Sequence, residues 1–330
     1  MILSAENLID LENYLRAKNW LHTTEKVIKV EKPGEGNMNF TLRVYTSACK
    51  TFIIKQSRAY VEKYPSIPAP TNRAIIEGKF YDFTQKNKLL NSFMPTLLGI
   101  DEQNNIIITQ DLGTANDFTN LYQPNIFISS TETLAITDYL SELHQSFYSE
   151  IPNLIFANRE MRALNHEHIF VYPFLEENGF NLNNILEGLQ EEALIYKNDV
   201  DLKEKIKALG EIYLADGHYL LHGDYYFGSF LRTNDGVKII DPEFCFYGYA
   251  EFDLGVLIAH LKMSEQSQES IDLAISNYKK VGDFNEKLFL QFVGIEIMRR
   301  IIGLAQLPIT LSLQQRIELL KEAKLLIINN

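Results

Sequence analysis

Two periodicities of apolar and polar residues succeed one another along this chain. Residues 4–19 set Leu8, Leu11 and Leu15 among acidic and basic neighbours at helical spacing. This predicts an amphipathic helix with Ser4 as its candidate cap. Shorter runs at 25–30, 39–45 and 51–55 then read as strands, and the first two are joined by a glycine turn. A loop carrying Pro65, Pro68 and Pro70 leads to a predicted helix over 72–86, and strands follow at 97–100 and 105–110. Beyond residue 113 the helical period dominates, at 131–148, 202–214, 253–262, 271–280, 285–307 and 313–328. One hairpin interrupts it: 230–232 and 237–240, turning at Asn234-Asp235-Gly236. The order predicts an α+β protein of two lobes, a small antiparallel sheet lobe over 1–112 and a larger, mainly helical lobe over 113–330. Leu112-Gly113-Thr114 is the expected hinge.

The chain has 330 residues, 46% of them hydrophobic, enough for a large core. Its net charge of -12 argues against nonspecific binding to nucleic acid or an anionic membrane. Cys49 and Cys245 have no zinc-site spacing and make no disulfide framework, which fits a reducing cytoplasm. The first residues do not read as a signal peptide, and no apolar run approaches the ~18–20 residues of a membrane span. A cytoplasmic protein is expected.

The candidate chemistry centres on His222-Gly223-Asp224-Tyr225-Tyr226-Phe227-Gly228-Ser229 and, after the hairpin, Asp241-Pro242-Glu243. One carboxylate that steers a hydroxyl and another that holds magnesium is what ATP-dependent phosphoryl transfer requires. Asp224 is the candidate that orients the attacking hydroxyl, with His222 bracing its loop. Asp241, Glu243 and Ser229 are candidate magnesium ligands, since hard oxygen atoms suit that ion. Asp253 is expected to cap a helix and tie down the catalytic loop.

Upstream, Gly34, Gly36 and Asn37 lie in a turn whose backbone could approach phosphate oxygens. Taken alone, the turn reads first as an ordinary hairpin connection, and Asn39 stands where a kinase loop would carry its third glycine. Lys55 ends an apolar strand and could reach the phosphates of ATP, with Glu77 as its orienting partner. Gln110 and Leu112 are placed to offer backbone groups to an adenine edge. Arg299 and Arg300 interrupt an apolar helix. They either meet an anionic or hydroxylic partner or pair internally with an acid such as Glu296.

In this order the motifs resemble the aminoglycoside phosphotransferase and choline kinase superfamily, over residues 25 to 310. The Asp241-Pro242-Glu243-Phe244-Cys245-Phe246-Tyr247-Gly248 run, Arg73 to Glu77, and Met298-Arg299-Arg300 look closer to the methylthioribose kinases. That resemblance implies a protein kinase-like fold using ATP and Mg2+, a small-molecule hydroxyl acceptor, and methylthioribose or a related pentose as that acceptor. It also implies a substrate role for Arg299 and Arg300, a place in methionine salvage, and a homodimer as one option. Tyr225-Tyr226-Phe227 departs from the family's Leu-His-Thr beside the catalytic aspartate, and Tyr225 is a candidate acceptor contact. The sole tryptophan, Trp20, lies too early to cover a substrate. An aminoglycoside, choline or other amino alcohol is the alternative acceptor, and a nucleotide-binding pseudokinase is the non-enzymatic alternative.

Overall fold

A computed structural model describes every residue except 35–37, 281 and 283. The chain divides into two compact units, Met1–Ala115 with Ile240–Glu243, and Asn116–Ile239 with Phe244–Asn330. The boundaries expected from sequence, 1–112 and 113–330, do not contain the return of 240–243 to the first unit.

The first unit runs α1 (Leu8–Ala17), β1 (Val27–Glu31), β2 (Phe40–Thr46), β3 (Thr51–Gln56), β4 (Tyr60–Val61), β5 (Tyr64–Pro68), α2 (Arg73–Thr84), α3 (Lys88–Phe93), β6 (Leu97–Asp101) and β7 (Ile106–Gln110). Five strands form an antiparallel sheet in the order β1-β2-β3-β7-β6. Alternation sends Leu42, Val44, Phe52 and Ile54 to one face, where they pack with Leu11 and Leu15 of α1. The cap of α1 is Asn7, whose side chain accepts from the Asp10 N–H. Ser4 lies too early, because the helix starts only at Leu8. The proline-containing stretch, expected as a loop, also holds a short hairpin, β4–β5.

On the other face α2 packs against β6 and β7, with Ala74 and Ile75 in contact with the cluster around Ile107. A Cβ at Gly78 would stand 2.9 Å from Ile107 Cγ2. Glycine therefore lets this helix come close to the sheet on which Lys55 and Ile107 are register partners.

The second unit contains β8 (Asn116–Asp117), α4 (Ser130–Ser146), α5 (Arg159–His166), α6 (Leu189–Lys197), α7 (Val200–Leu214), β9 (Tyr219–Leu221), β10 (Phe230–Thr233), β11 (Gly236–Ile239), β12 (Phe246–Gly248), α8 (Glu251–Met263), α9 (Gln268–Asn277), α10 (Glu286–Ile302) and α11 (Leu313–Ile328). Its centre is α10, packed between α8 and α11. Both α8 and α10 are buried along nearly their whole length, as their apolar sequences require. Helix α10 stops at Ile302, five residues short of the expected end, with extended Gly303 as its C-cap. The hairpin β10–β11 forms with Thr233 opposite Gly236, so Asn234 and Asp235 alone make the turn.

Among the described residues no helix is long and apolar enough to cross a membrane.

Candidate active site

Each unit holds its own cluster of charged side chains. In the first, Lys55 Nζ donates to Glu77 Oε1 at 2.7 Å and pairs with Asp241 Oδ1. Strand alternation explains the meeting. Ile54 points into the core on the α1 side, so Lys55 points toward α2, whose second turn carries Glu77. Burial alone would lower the Lys55 ammonium, but Asp241 and Glu77 overturn this and hold it above its ordinary value. Burial pushes the Glu77 carboxyl up, with Lys55 opposing. Asp241 has φ 63°, in the left-handed region. An aspartate held there is a local strain of the kind found at functional sites. Its side chain is 41% exposed, so it keeps an accessible face while paired with Lys55.

Glu243 behaves differently. Its side chain is buried; Asn39 Nδ2 donates to Oε2 at 2.8 Å and Arg73 Nε lies 3.6 Å from the same oxygen. Arg73 is fully buried, and its Nη atoms donate to the carbonyls of Arg58, Pro70, Met38 and Tyr60. Burial pushes the Glu243 carboxyl up to about 8, against the pull of Arg73. Glu243 thereby ties the Asp241 segment to Asn39, at the exit of the glycine turn, and to α2.

The remaining nucleotide candidates fall unevenly. Gly34 sits in an exposed bend, while Gly36 and Asn37 lie outside the described residues. The Gln110 N–H is already committed to the Thr96 carbonyl at 2.8 Å and is not open to an adenine edge. Leu112, half-buried, lies on the next segment. That segment is held by Arg43, which pairs with Asp111 at 2.9 Å and donates to the Gly113 carbonyl at 2.7 Å.

In the second unit the catalytic-loop candidate is tied to α8. The carboxylate of Asp253 accepts from the N–H groups of His222 (2.7 Å) and Gly223 (3.0 Å). Asp253 therefore tethers the loop, as expected, but it does not cap its helix, whose N-cap is Ala250. Gly223 has φ +85°, and a Cβ there would stand 2.2 Å from the Phe244 carbonyl oxygen, so this turn requires glycine. His222 Nδ1 accepts from the Asp224 N–H at 3.4 Å. The Ser229 hydroxyl donates to the Asp224 carbonyl at 2.8 Å. The buried serine thus braces the loop.

Asp224 itself is 24% exposed and faces two guanidinium groups, with Arg300 Nη2 at 3.5 Å and Arg299 Nη2 at 3.6 Å from Oδ1. Burial raises its carboxyl, and Arg300 and Arg299 pull the other way. Both arginines also pair with Glu296. The pair is thus engaged internally on both sides, by Glu296 and by Asp224.

Tyr225, the expected acceptor contact, is fully buried, and its hydroxyl donates to the Ile136 carbonyl at 2.6 Å. It is a packing residue. Its neighbour Tyr226 is the half-buried aromatic, with the Arg300 guanidinium 4.9 Å from its ring centroid. Adjacent residues on a tight loop point different ways, and composition cannot choose between two tyrosines. The other residue missed is His260, which is buried with Nε2 2.9 Å from Glu296 Oε1 and Nδ1 2.5 Å from the Tyr122 hydroxyl. A lone histidine inside the apolar run of α8 is the same kind of signal as the arginine pair in α10.

Among the described residues no three or more His, Cys, Asp or Glu side chains are grouped to hold a metal by themselves. A magnesium ion riding on nucleotide phosphates needs only one or two protein carboxylates, and accessible Asp241 beside Lys55 fits that demand.

The fold is protein kinase-like. The chain is similar to the solved choline kinase of Cryptosporidium parvum, with TM-score 0.59 and 15% identity over 98% of this chain and 97% of that one. It is also similar to a spectinomycin phosphotransferase solved with ADP and spectinomycin, with TM-score 0.53 and 14% identity over 98% and 95%. In sequence the chain is methylthioribose kinase-like. It is 25% identical over 328 residues to the methylthioribose kinase of Exiguobacterium sibiricum, covering 84% of this chain and 80% of that one. The corresponding enzyme of Geobacillus thermodenitrificans is 26% identical over 331 residues, covering 86% and 81%. No family model matches the chain.

Proposed function

We propose that this chain is an ATP-dependent kinase that transfers the γ-phosphate to a hydroxyl of a small uncharged sugar, methylthioribose or a related pentose. The observation that carries the acceptor class is the pair Arg299 and Arg300 at Asp224. Two guanidinium groups beside the catalytic carboxylate donate well to sugar oxygens and repel an ammonium group. Arg300 also lies over the ring of Tyr226, which leaves that face to a cation already in place. Choline and the aminoglycosides are therefore disfavoured.

The acceptor hydroxyl attacks the γ-phosphorus, the new O–P bond forms as the bond to the ADP oxygen breaks, and the hydroxyl proton passes to Asp224. A carboxyl raised by burial is the better base for that transfer. Lys55, oriented by Glu77, binds the phosphates. Asp241 would hold magnesium, which when bound neutralises phosphate charge. The homodimer and methionine salvage implied by the resemblance belong to the same proposal, and sedimentation should give twice the chain mass.

The test is ATP consumption in the presence of magnesium against methylthioribose, ribose, choline and an aminoglycoside. Methylthioribose should give the highest kcat/KM. Preferential turnover of choline or the aminoglycoside would overturn the acceptor class. Nucleotide binding with no turnover of any of the four would favour the pseudokinase.

A further inference from the structure

We propose that Glu296 is the positioning residue of the acceptor site: its two oxygens divide between Arg299 and Arg300 and aim both guanidinium groups at Asp224, with His260 and Tyr122 fixing the carboxylate from behind. The inference rests on the kinase reading above for its functional meaning, but the geometry stands in the second unit alone. Neighbouring residues on a helix point about 100° apart, so two adjacent arginines do not converge on one atom unaided. Glu296, three and four residues earlier, is a helical neighbour of both. Arg299 Nε donates to Oε2 at 2.5 Å and Arg300 Nε donates to Oε1 at 2.8 Å. Once each Nε is engaged, an Nη2 of each arginine is left near Asp224 Oδ1.

The carboxylate is fixed in turn. His260 Nε2–H donates to Glu296 Oε1 at 2.9 Å, and the Tyr122 hydroxyl donates to His260 Nδ1 at 2.5 Å. A carboxylate demands a donor, so the proton sits on Nε2 and Nδ1 is left to accept. Burial pushes His260 down to about 4, so the ring is neutral and adds no charge to the site. With Glu296 and Asp224 ionised, two arginines and two carboxylates cancel.

Removing the Glu296 charge has a directional consequence. Asp224 is faced by Arg299, Arg300 and Glu296 from α10, by His222 and Tyr226 from its own loop, and by Tyr122 and Tyr213. Of these, Glu296 opposes ionisation of Asp224 and the arginines favour it. In a Glu296→Gln variant the guanidinium groups lose their anchor and act on Asp224 alone. Its carboxyl then falls, and the acid limb of kcat/KM moves to lower pH.

The experiment is steady-state kinetics of the full chain with ATP and methylthioribose, or whichever acceptor the panel selects. For Glu296→Gln the acceptor KM should rise about tenfold or more while the ATP KM stays within about twofold. The acid limb should shift down. Glu296→Asp, which keeps the charge, should hold the acid limb near that of the wild type. Equal rises in both KM values, or an unmoved acid limb, would overturn the assignment. His260→Gln gives a milder version of the same KM split if Glu296→Gln does not fold.

A readout independent of turnover is the exchange of arginine Nε–H groups by 15N NMR, assigned with Arg299→Lys and Arg300→Lys. Both signals should be protected in the wild type. Exchange as fast as that of surface arginines would sink the inference even in an active kinase. Protected signals in a protein that phosphorylates no acceptor would instead sink the kinase reading and leave Glu296 as the anchor.

Discussion

The two charged clusters use the same ingredients in opposite proportions. In the first unit one lysine stands between two carboxylates, Glu77 and Asp241. With all three ionised the cluster carries one net negative charge, and its accessible member is the carboxylate Asp241. In the second unit two arginines stand between two carboxylates, Glu296 and Asp224, and the charges cancel. A cluster with surplus negative charge and an exposed carboxylate invites a divalent cation. A neutral cluster that presents guanidinium donors suits a neutral, oxygen-rich molecule. On the kinase reading proposed above, the first cluster would take metal and phosphate and the second the acceptor.

The sharpest way to break this division is to remove one carboxylate from each cluster. Asp224→Asn should lower kcat about 10²- to 10⁴-fold, the range of general-base catalysis, with the magnesium dependence of the rate unchanged. Asp241→Asn should lower turnover about 10²-fold or more, and raising magnesium should recover part of that loss. Titrating magnesium at saturating ATP distinguishes the two. A shifted magnesium optimum in Asp224→Asn, or an unshifted one in Asp241→Asn, would erase the distinction.

A smaller effect is expected at the arginines. Arg300→Ala removes charged hydrogen bonds of about 1.5–3 kcal/mol, so the acceptor KM should rise about 10- to 100-fold while the ATP KM holds. Because Glu296 would then lie buried with one partner fewer, the melting temperature should also fall. A variant that binds ATP and acceptor equally poorly would show the arginine to be part of the core only.

The parts of this arrangement legible in the sequence were those where local chemistry leaves one answer. An apolar strand ending in lysine and a helix glutamate after it meet because alternation and helix packing allow little else, and Lys55–Glu77 is the result. The hairpin formed where an Asn-Asp-Gly run demanded a turn. Other features depended on packing at a distance. Tyr225 and Tyr226 are identical as letters, and only the core around Ile136 decides which is buried. Glu243 sits two residues from Asp241 and reads as a second metal ligand. Its partners, Asn39 and Arg73, are more than 160 positions away in the chain. His260 depends on Tyr122 and Glu296 from two other segments.

Glu243 provides the finest test, because it lies two residues from Asp241 and its protonation state sets the charge next to that cluster. Burial pushes its carboxyl up to about 8 from an ordinary 4.5. Between those values the unfolded chain releases the proton while the folded chain keeps it, so this group costs the folded state stability as pH rises. Glutamine has nearly the same shape, can still accept from Asn39, and does not titrate. The melting temperature of Glu243→Gln relative to the wild type should therefore increase from about pH 5 to about pH 8. A difference that stays constant with pH would mean that Glu243 is ionised throughout. The first unit would then hold a further carboxylate charge near Asp241, countered by Arg73.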